Sequence, residues 1–365
     1  MRKRVNPMKV IAIVLIAIIL LIALSIVAAR IVNACRNKIS TENGIQESTY
    51  IDVNGIKQFI QIRGENKDNP VMIFIHGGPA SPMGYVSQYY QKDLESEITF
   101  INYDQRGCGR TYYANGSVAD PDIDQLVTDL DGIVDYARDR FGKDKVIIAG
   151  HSWGTVVGSI YVQEHPEKVS CYIGMSQITN LYENKLDAAR MALSKPAIKG
   201  TEDEKKLQEL VDRMSQVKSY SEFSLDDLSQ LVPLTAKYIA CEGEMSGSSQ
   251  MLTGITSPYM NLDDTKWFLK QMNTKRFFEI SNGLMDYAFF GFDIKDRPLQ
   301  YSVPVYYIAG EGDYAVCQDD VRAYYETIDA PDKAFCQIPN AGHTMFMDAP
   351  DKFADTIRDI MAKID

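Results

Sequence analysis

Val146-Ile147-Ile148-Ala149-Gly150-His151-Ser152-Trp153-Gly154 is the stretch whose reading decides the fold. Its first four residues are small or apolar and read as a buried strand. Gly150 to Gly154 then follow the Gly-x-Ser-x-Gly pattern, a sharp strand-to-helix turn that holds a serine hydroxyl clear of the backbone. The two glycines answer a steric need, because strand and helix pass too close at the turn for side chains there.

Working outward, other apolar runs end in small-residue motifs. Val71 to Ile75 ends in His76-Gly77-Gly78-Pro79, and Ile98 to Tyr103 ends in Asp104-Gln105-Arg106-Gly107. Val169 to Met175, Val303 to Ala309 and Ala334 to Ile338 are further strand signals, and Tyr50–Val53 with Ile56–Arg63 reads as a hairpin around Asn54-Gly55. Between them lie helical spacings: Asp122 to Phe141 puts Leu126, Leu130, Ile133, Val134 and Ala137 on one face. The alternation stops after Ser176, residues 177–298 carry mostly helical patterns, and a last helix runs from Pro350 to Ile364. Continuous apolar strands alternating with helices predict a mainly parallel sheet covered on both faces, with the motifs gathered beyond the strands' carboxyl ends.

A serine hydroxyl needs a base within reach, itself oriented by a carboxylate. The chain has four histidines. His76 opens a Gly-Gly turn, His151 is adjacent to Ser152 and should point away from it, and His165 closes a helix before Pro166. His343, in the small-residue loop Asn340-Ala341-Gly342-His343-Thr344 after the last strand, is the expected base. The acid should fall between serine and histidine in chain order, and Gly310-Glu311-Gly312-Asp313 places Asp313 there, with Glu311 its nearest competitor. The expected oxyanion donors are the amides of Trp153, which follows the nucleophile, and Gly78.

Val10 to Ala29 is an apolar run broken only by Ser25, long enough to cross a bilayer. Arg2, Lys3, Arg4 and Lys9 precede it and Arg30, Arg36 and Lys38 follow, which predicts a cytoplasmic N-terminus and a single-pass protein with residues 41–365 outside. A cleaved signal peptide or a lipoprotein box at Val32-Asn33-Ala34-Cys35 is the competing expectation. Residues 1–40 hold seven of the 38 Lys and Arg and no acid, so residues 41–365 carry 31 basic against 49 acidic residues, a balance of −18. Such a surface repels phosphate backbones and anionic lipid surfaces, which excludes nucleic acid as partner. The six cysteines show no metal-ligand spacing, and a Cys317–Cys336 disulfide is not established by sequence.

With these motifs in place the chain resembles the α/β-hydrolase fold, and within it the proline iminopeptidase (prolyl aminopeptidase) branch of serine peptidases. His76-Gly77-Gly78-Pro79, Asp104-Gln105-Arg106-Gly107-Cys108-Gly109-Arg110 and Ser152-Trp153-Gly154 carry the likeness, over about residues 48–365. The resemblance implies Ser152, Asp313 and His343 as a triad, a helical cap after the sixth strand, no metal or organic cofactor, and a small-molecule or short peptide substrate. The implied organisation is an anchor and spacer (1–40), a first part of the core (41–176), a cap (177–298) and a second part of the core (299–365). Branch members hold the substrate's amino group with cap carboxylates, a role that Glu242 and Glu244 could take. Three positions depart from the branch: His151 stands where it usually has Gly, Ala80-Ser81 replace a further Gly, and Thr111 replaces a common Ser. The His151 departure and the anchor support an alternative, an esterase or lipase acting on small carboxylic esters with the same triad.

Overall fold

The computed structural model describes residues 7–117 and 120–364. An N-terminal helix α1 (Pro7–Arg36) precedes β1 (Ile45–Val53), β2 (Ile56–Gly64), β3 (Val71–Ile75), β4 (Thr99–Tyr103), α2 (Gly109–Ala114), α3 (Ile123–Phe141), β5 (Val146–His151), α4 (Trp153–Glu164) and β6 (Val169–Met175). Seven helices follow: α5 (Leu181–Ser194), α6 (Glu202–Met214), α7 (Leu225–Ile239), α8 (Gly247–Ile255), α9 (Leu262–Gln271), α10 (Thr274–Ile280) and α11 (Asn282–Asp286). The chain then returns through β7 (Val305–Gly310), α12 (Gln318–Thr327), β8 (Lys333–Ile338), α13 (Met345–Asp348) and α14 (Pro350–Ile364).

The eight strands form one sheet in the order β1-β2-β4-β3-β5-β6-β7-β8. β1 and β2 pair antiparallel, β2 joins β4 antiparallel, and every later pairing is parallel. β5 is apolar throughout because both of its faces are covered: Ile148 packs into the core beneath α3 and α4, while Ile147 and Ala149 pack on the opposite face with α14. That is the period-two consequence of a doubly covered sheet. α3 starts at a capping box between Asp122 and Gln125 and ends at Gly142 in the left-handed region (φ 61°), and its predicted apolar face is buried.

The N-terminal region differs in extent from its sequence reading. α1 runs on past its basic flank to Arg36, and β1 begins at Ile45 rather than Tyr50. The polar residues of this supposed spacer are held by residues distant in the chain. Arg30 Nε donates to Ser257 O (2.9 Å), Asn33 Nδ2 to Thr256 O (3.0 Å), and Asn37 O accepts from Arg63 Nη2 (2.8 Å). The apolar side chains of α1 point outward, and its Met8–Arg36 span is long and apolar enough to cross a membrane. Arg2, Lys3 and Arg4 lie outside the described residues. Cys317 and Cys336 are free thiols.

Candidate active site

The turn at Ser152 shows why its glycines are required. A Cβ on Gly150 would sit 2.5 Å from Gly154 O, and one on Gly154 would sit 2.1 Å from Ile75 O. Ser152 itself takes φ 51°, ψ −121°, a strained conformation that turns its side chain out of the β5–α4 junction. Its amide donates to Met175 O (2.9 Å), which pins the elbow to the end of β6.

The Gly-Gly loop after β3 lies directly against this serine. A Cβ on Gly77 would stand 3.1 Å from Ser152 Cβ, and Gly78 holds φ 126°, reserved for glycine. The Asp-Gln-Arg-Gly segment braces both oxyanion candidates. Gln105 N donates to His76 Nε2 (3.2 Å), Gln105 Nε2 donates to His76 O (2.9 Å), and Gln105 Oε1 accepts from Trp153 Nε1 (3.1 Å). One glutamine thus ties the Gly-Gly loop to the residue after Ser152. This also assigns His76, which is buried in that brace, while His165 stacks on Tyr161 at the far end of α4.

At the ends of β7 and β8 the predicted acid and base meet. His343 Nδ1 lies 3.0 Å from both carboxylate oxygens of Asp313, so Nδ1 carries the proton donated to the carboxylate. The carboxylate also accepts from the amides of Ala315 and Val316 (2.9 Å each). Burial alone would raise the Asp313 pKa, but His343 and these hydrogen bonds outweigh it and hold the carboxyl down at about 2. Glu311 is elsewhere: its carboxylate accepts from Asn340 N (2.8 Å) and braces the turn before the histidine loop. Among the described residues no hydrogen bond joins Ser152 Oγ to His343, so of the two contacts expected of a triad the Asp313–His343 one is present and the Ser152–His343 one is not. Such contacts often close only around substrate.

His151 has a part that sequence reading did not foresee. Its ring points away from the hydroxyl and under the base, where Nε2 donates to His343 O (2.9 Å); Ser176 Oγ donates to the same oxygen (3.2 Å). The ring lies 4.9 Å from those of both His343 and Phe346. Burial, with the charge of His343 nearby, lowers the His151 pKa to about 3, so the ring is neutral and its Nδ1 is left without a partner.

The loop before α8 straps onto the histidine loop. Gly243 N donates to Asn340 Oδ1 (2.9 Å) and Met245 N to Asp348 Oδ1 (2.8 Å). Glu244 accepts from Cys241 N (2.8 Å) and packs against Gly342, where a Cβ would meet its carboxyl carbon at 2.3 Å. Burial raises the Glu244 pKa. Glu242, two residues away, is exposed to solvent. Lys185 of α5 is a second feature without a sequence signal. It is half-buried, its ammonium meets no hydrogen-bond partner or carboxylate among the described residues, and burial lowers it to about 8 against the pull of Asp313.

This geometry belongs to a known class. Residues 70–350 match the family described as the alpha/beta hydrolase fold, and the chain is a member of that family. Its relatives include a probable aminopeptidase, YbaC, of Bacillus subtilis, 27% identical over 321 residues and covering 84% of this chain and 93% of that protein. The proline iminopeptidase of Neisseria gonorrhoeae is 33% identical over 126 residues, which span 33% of this chain and 37% of that enzyme. Among solved structures, the proline iminopeptidase of Mycobacterium smegmatis superposes with a TM-score of 0.61 at 18% identity, over 87% of this chain and 98% of that one.

Proposed function

We propose that the chain is a membrane-anchored serine hydrolase, an aminopeptidase of proline iminopeptidase type that cleaves small peptides or amides after their first residue. The observation that supports it most is the buried Asp313 carboxylate on His343 Nδ1, beside a serine presented on a strained elbow. In this reading His343 Nε2 takes the Ser152 proton as Oγ attacks the carbonyl carbon, and the amides of Gly78 and Trp153 receive the oxyanion. The C–N bond breaks as Nε2 passes that proton to the leaving amine. Water then attacks the acyl-enzyme, its proton going to Nε2 and on to Ser152 Oγ. Glu244, beside the base, receives the substrate's ammonium through a charge-assisted hydrogen bond, and α1 holds the hydrolase at the membrane.

The likeness to a probable aminopeptidase over most of the chain supports the peptidase class. Esterase action with the same residues is the alternative, favoured by His151 at the elbow. Ser152→Ala is expected to reduce hydrolysis of proline p-nitroanilide by about 10⁴-fold or more. Wild-type turnover of p-nitrophenyl butyrate without turnover of the anilide would leave the esterase reading in its place. Failure of a fluorophosphonate to label Ser152 would remove the nucleophile altogether.

A further inference from the structure

A cavity of about 630 Å³ lies where α1 meets the cap, walled by Ile26 and Arg30 of α1, by α8 and α9, and by Met83 and Met347 from the core. Its size is that of ligand pockets, which run roughly 300–1,000 Å³. The wall is predominantly apolar and holds no carboxylate; five methionines (83, 251, 260, 272 and 347) give it a flexible surface that adapts to an irregular chain. None of the candidate catalytic residues lines it, so it is a site apart from the triad.

Two of its lining residues, Ile26 and Arg30, belong to the Met8–Arg36 span that is long and apolar enough to cross a membrane. Outside α1, eight large apolar side chains are exposed among the described residues, and five belong to this corner of the cap. They are Met251, Leu252, Leu262, Leu269 and Met272, each 44% to 68% exposed. Three of them, Met251, Leu269 and Met272, also line the cavity and so form its mouth. Arg30 fixes the height of that mouth, because its guanidinium is bound to the backbone oxygens of Ser257 and Met260. Ile26 lies one turn of helix further into the apolar span, about 6 Å away at 1.5 Å per residue. A wall of the cavity is therefore made by the span itself, at its polar end.

We propose that this cavity is a lipid site: the α8–α9 corner rests on the bilayer surface and takes an aliphatic chain of a membrane phospholipid between α1, α8 and α9. The proposal rests on α1 being a membrane anchor. Met83 follows the Gly-Gly loop by five residues from Gly78, and Met347 follows His343 by four. A chain in the cavity thus touches segments that continue into both halves of the candidate active site.

The test uses the full chain in phosphatidylcholine vesicles doped with a phosphatidylcholine that carries a diazirine at the end of one acyl chain. After photolysis, peptide mapping by mass spectrometry is expected to find adducts on α1 and, separately, on the peptides holding Met83, Met251, Phe268 or Met347. Gly254→Leu projects a side chain toward Tyr85 and Met260 within the cavity wall and is expected to abolish the cavity adducts while those on α1 and fluorophosphonate labelling remain. Met272→Asp, at an exposed position of the mouth, does the same without filling the interior. Adducts on α1 alone overturn the lipid site and leave the anchor standing, as do cavity adducts undiminished in both variants. Absence of adducts from α1 as well overturns the anchor and the proposal with it.

Discussion

His151 offers the sharpest test of how the base is held. In His151→Ala the His343 carbonyl keeps Ser176 but loses the stronger of its two donors, at 2.9 Å against 3.2 Å. Because that carbonyl is not orphaned, the hydrogen bond accounts for on the order of 1 kcal/mol. The imidazole also leaves a void against His343 and Phe346, which adds on the order of 2 kcal/mol by comparison with other truncations in buried sites. A loss of about 3 kcal/mol leaves most domains folded, so activity can be read. The catalytic cost comes from position: if the histidine loop relaxes by a fraction of an ångström, kcat/KM falls by about 10- to 100-fold. His151→Gln, whose side-chain N–H can reach the same oxygen, should recover most of that loss. His151, with its pKa held at about 3, stays neutral wherever activity is measured, so neither variant should alter the shape of the acidic limb of the pH–rate profile. The assay is kcat/KM for proline p-nitroanilide from pH 5 to 9, with fluorophosphonate labelling as a check on Ser152. Wild-type kcat/KM in His151→Ala would refute the positioning role, and loss of the acidic limb would make His151 itself the titrating base.

Acid stability checks the same histidine from another side. Its pKa is lower in the folded chain than the roughly 6.5 of an unfolded histidine, so between those values the unfolded chain binds the extra proton and stability falls as the pH falls. Asp104 and Asp320, raised by burial to about 7 and about 6, act in the opposite sense over part of that window. The difference between His151→Gln and wild type isolates the histidine: proton uptake on unfolding near pH 5, from the pH dependence of denaturant midpoints, should drop by about one. Arg110 of α2 pairs with Asp264 of α9, stacks 4.2 Å over Phe59, and is the cation beside two buried carboxylates, Asp264 and Asp104. Arg110→Met should cost about 3–5 kcal/mol in chemical denaturation, and adding Asp264→Asn should return part of it. A neutral single variant would show that the pair does not tie α2 to α9. Lys185 offers an unpartnered ammonium near Asp313, so Lys185→Met should raise KM by roughly 10- to 100-fold for peptides with a free C-terminal carboxylate, with little change in kcat. The wild-type advantage should fade above about pH 8, and an equal rise in KM for amidated peptides would exclude an ionic role.

The parts of the fold that sequence reading captures are those fixed by local physics. Strand runs that must be apolar on both faces, a helix with a buried stripe and capping box, and glycines where a Cβ has no room all leave signals a few residues long. For the same reason the reading finds Ser152, Asp313 and His343 as candidates, since each follows a strand and closes a short motif. What it misses depends on partners far along the chain. The polar end of α1 reads as a loose spacer because nothing near Arg30 or Asn33 announces that their acceptors are the carbonyls of residues 256–260. Glu242 and Glu244 read alike because a loop has no periodicity, and only the straps to Asn340 and Asp348 seat Glu244 against Gly342 while Glu242 stays exposed.

His151 joins the two kinds of information. On sequence it is the place where the elbow departs from the iminopeptidase pattern, and it therefore bears on substrate. Yet its ring turns beneath the site, neutral and buried, and spends its one donor on the backbone of the base. A glycine there would leave the His343 carbonyl to Ser176 alone, on a residue whose own φ is 50°. The departure is thus an exchange in how the histidine loop is supported. The charged groups near the base that bear on substrate in the proposed function are others, Glu244 against Gly342 for an ammonium and Lys185 near Asp313 for a carboxylate, and neither belongs to the elbow.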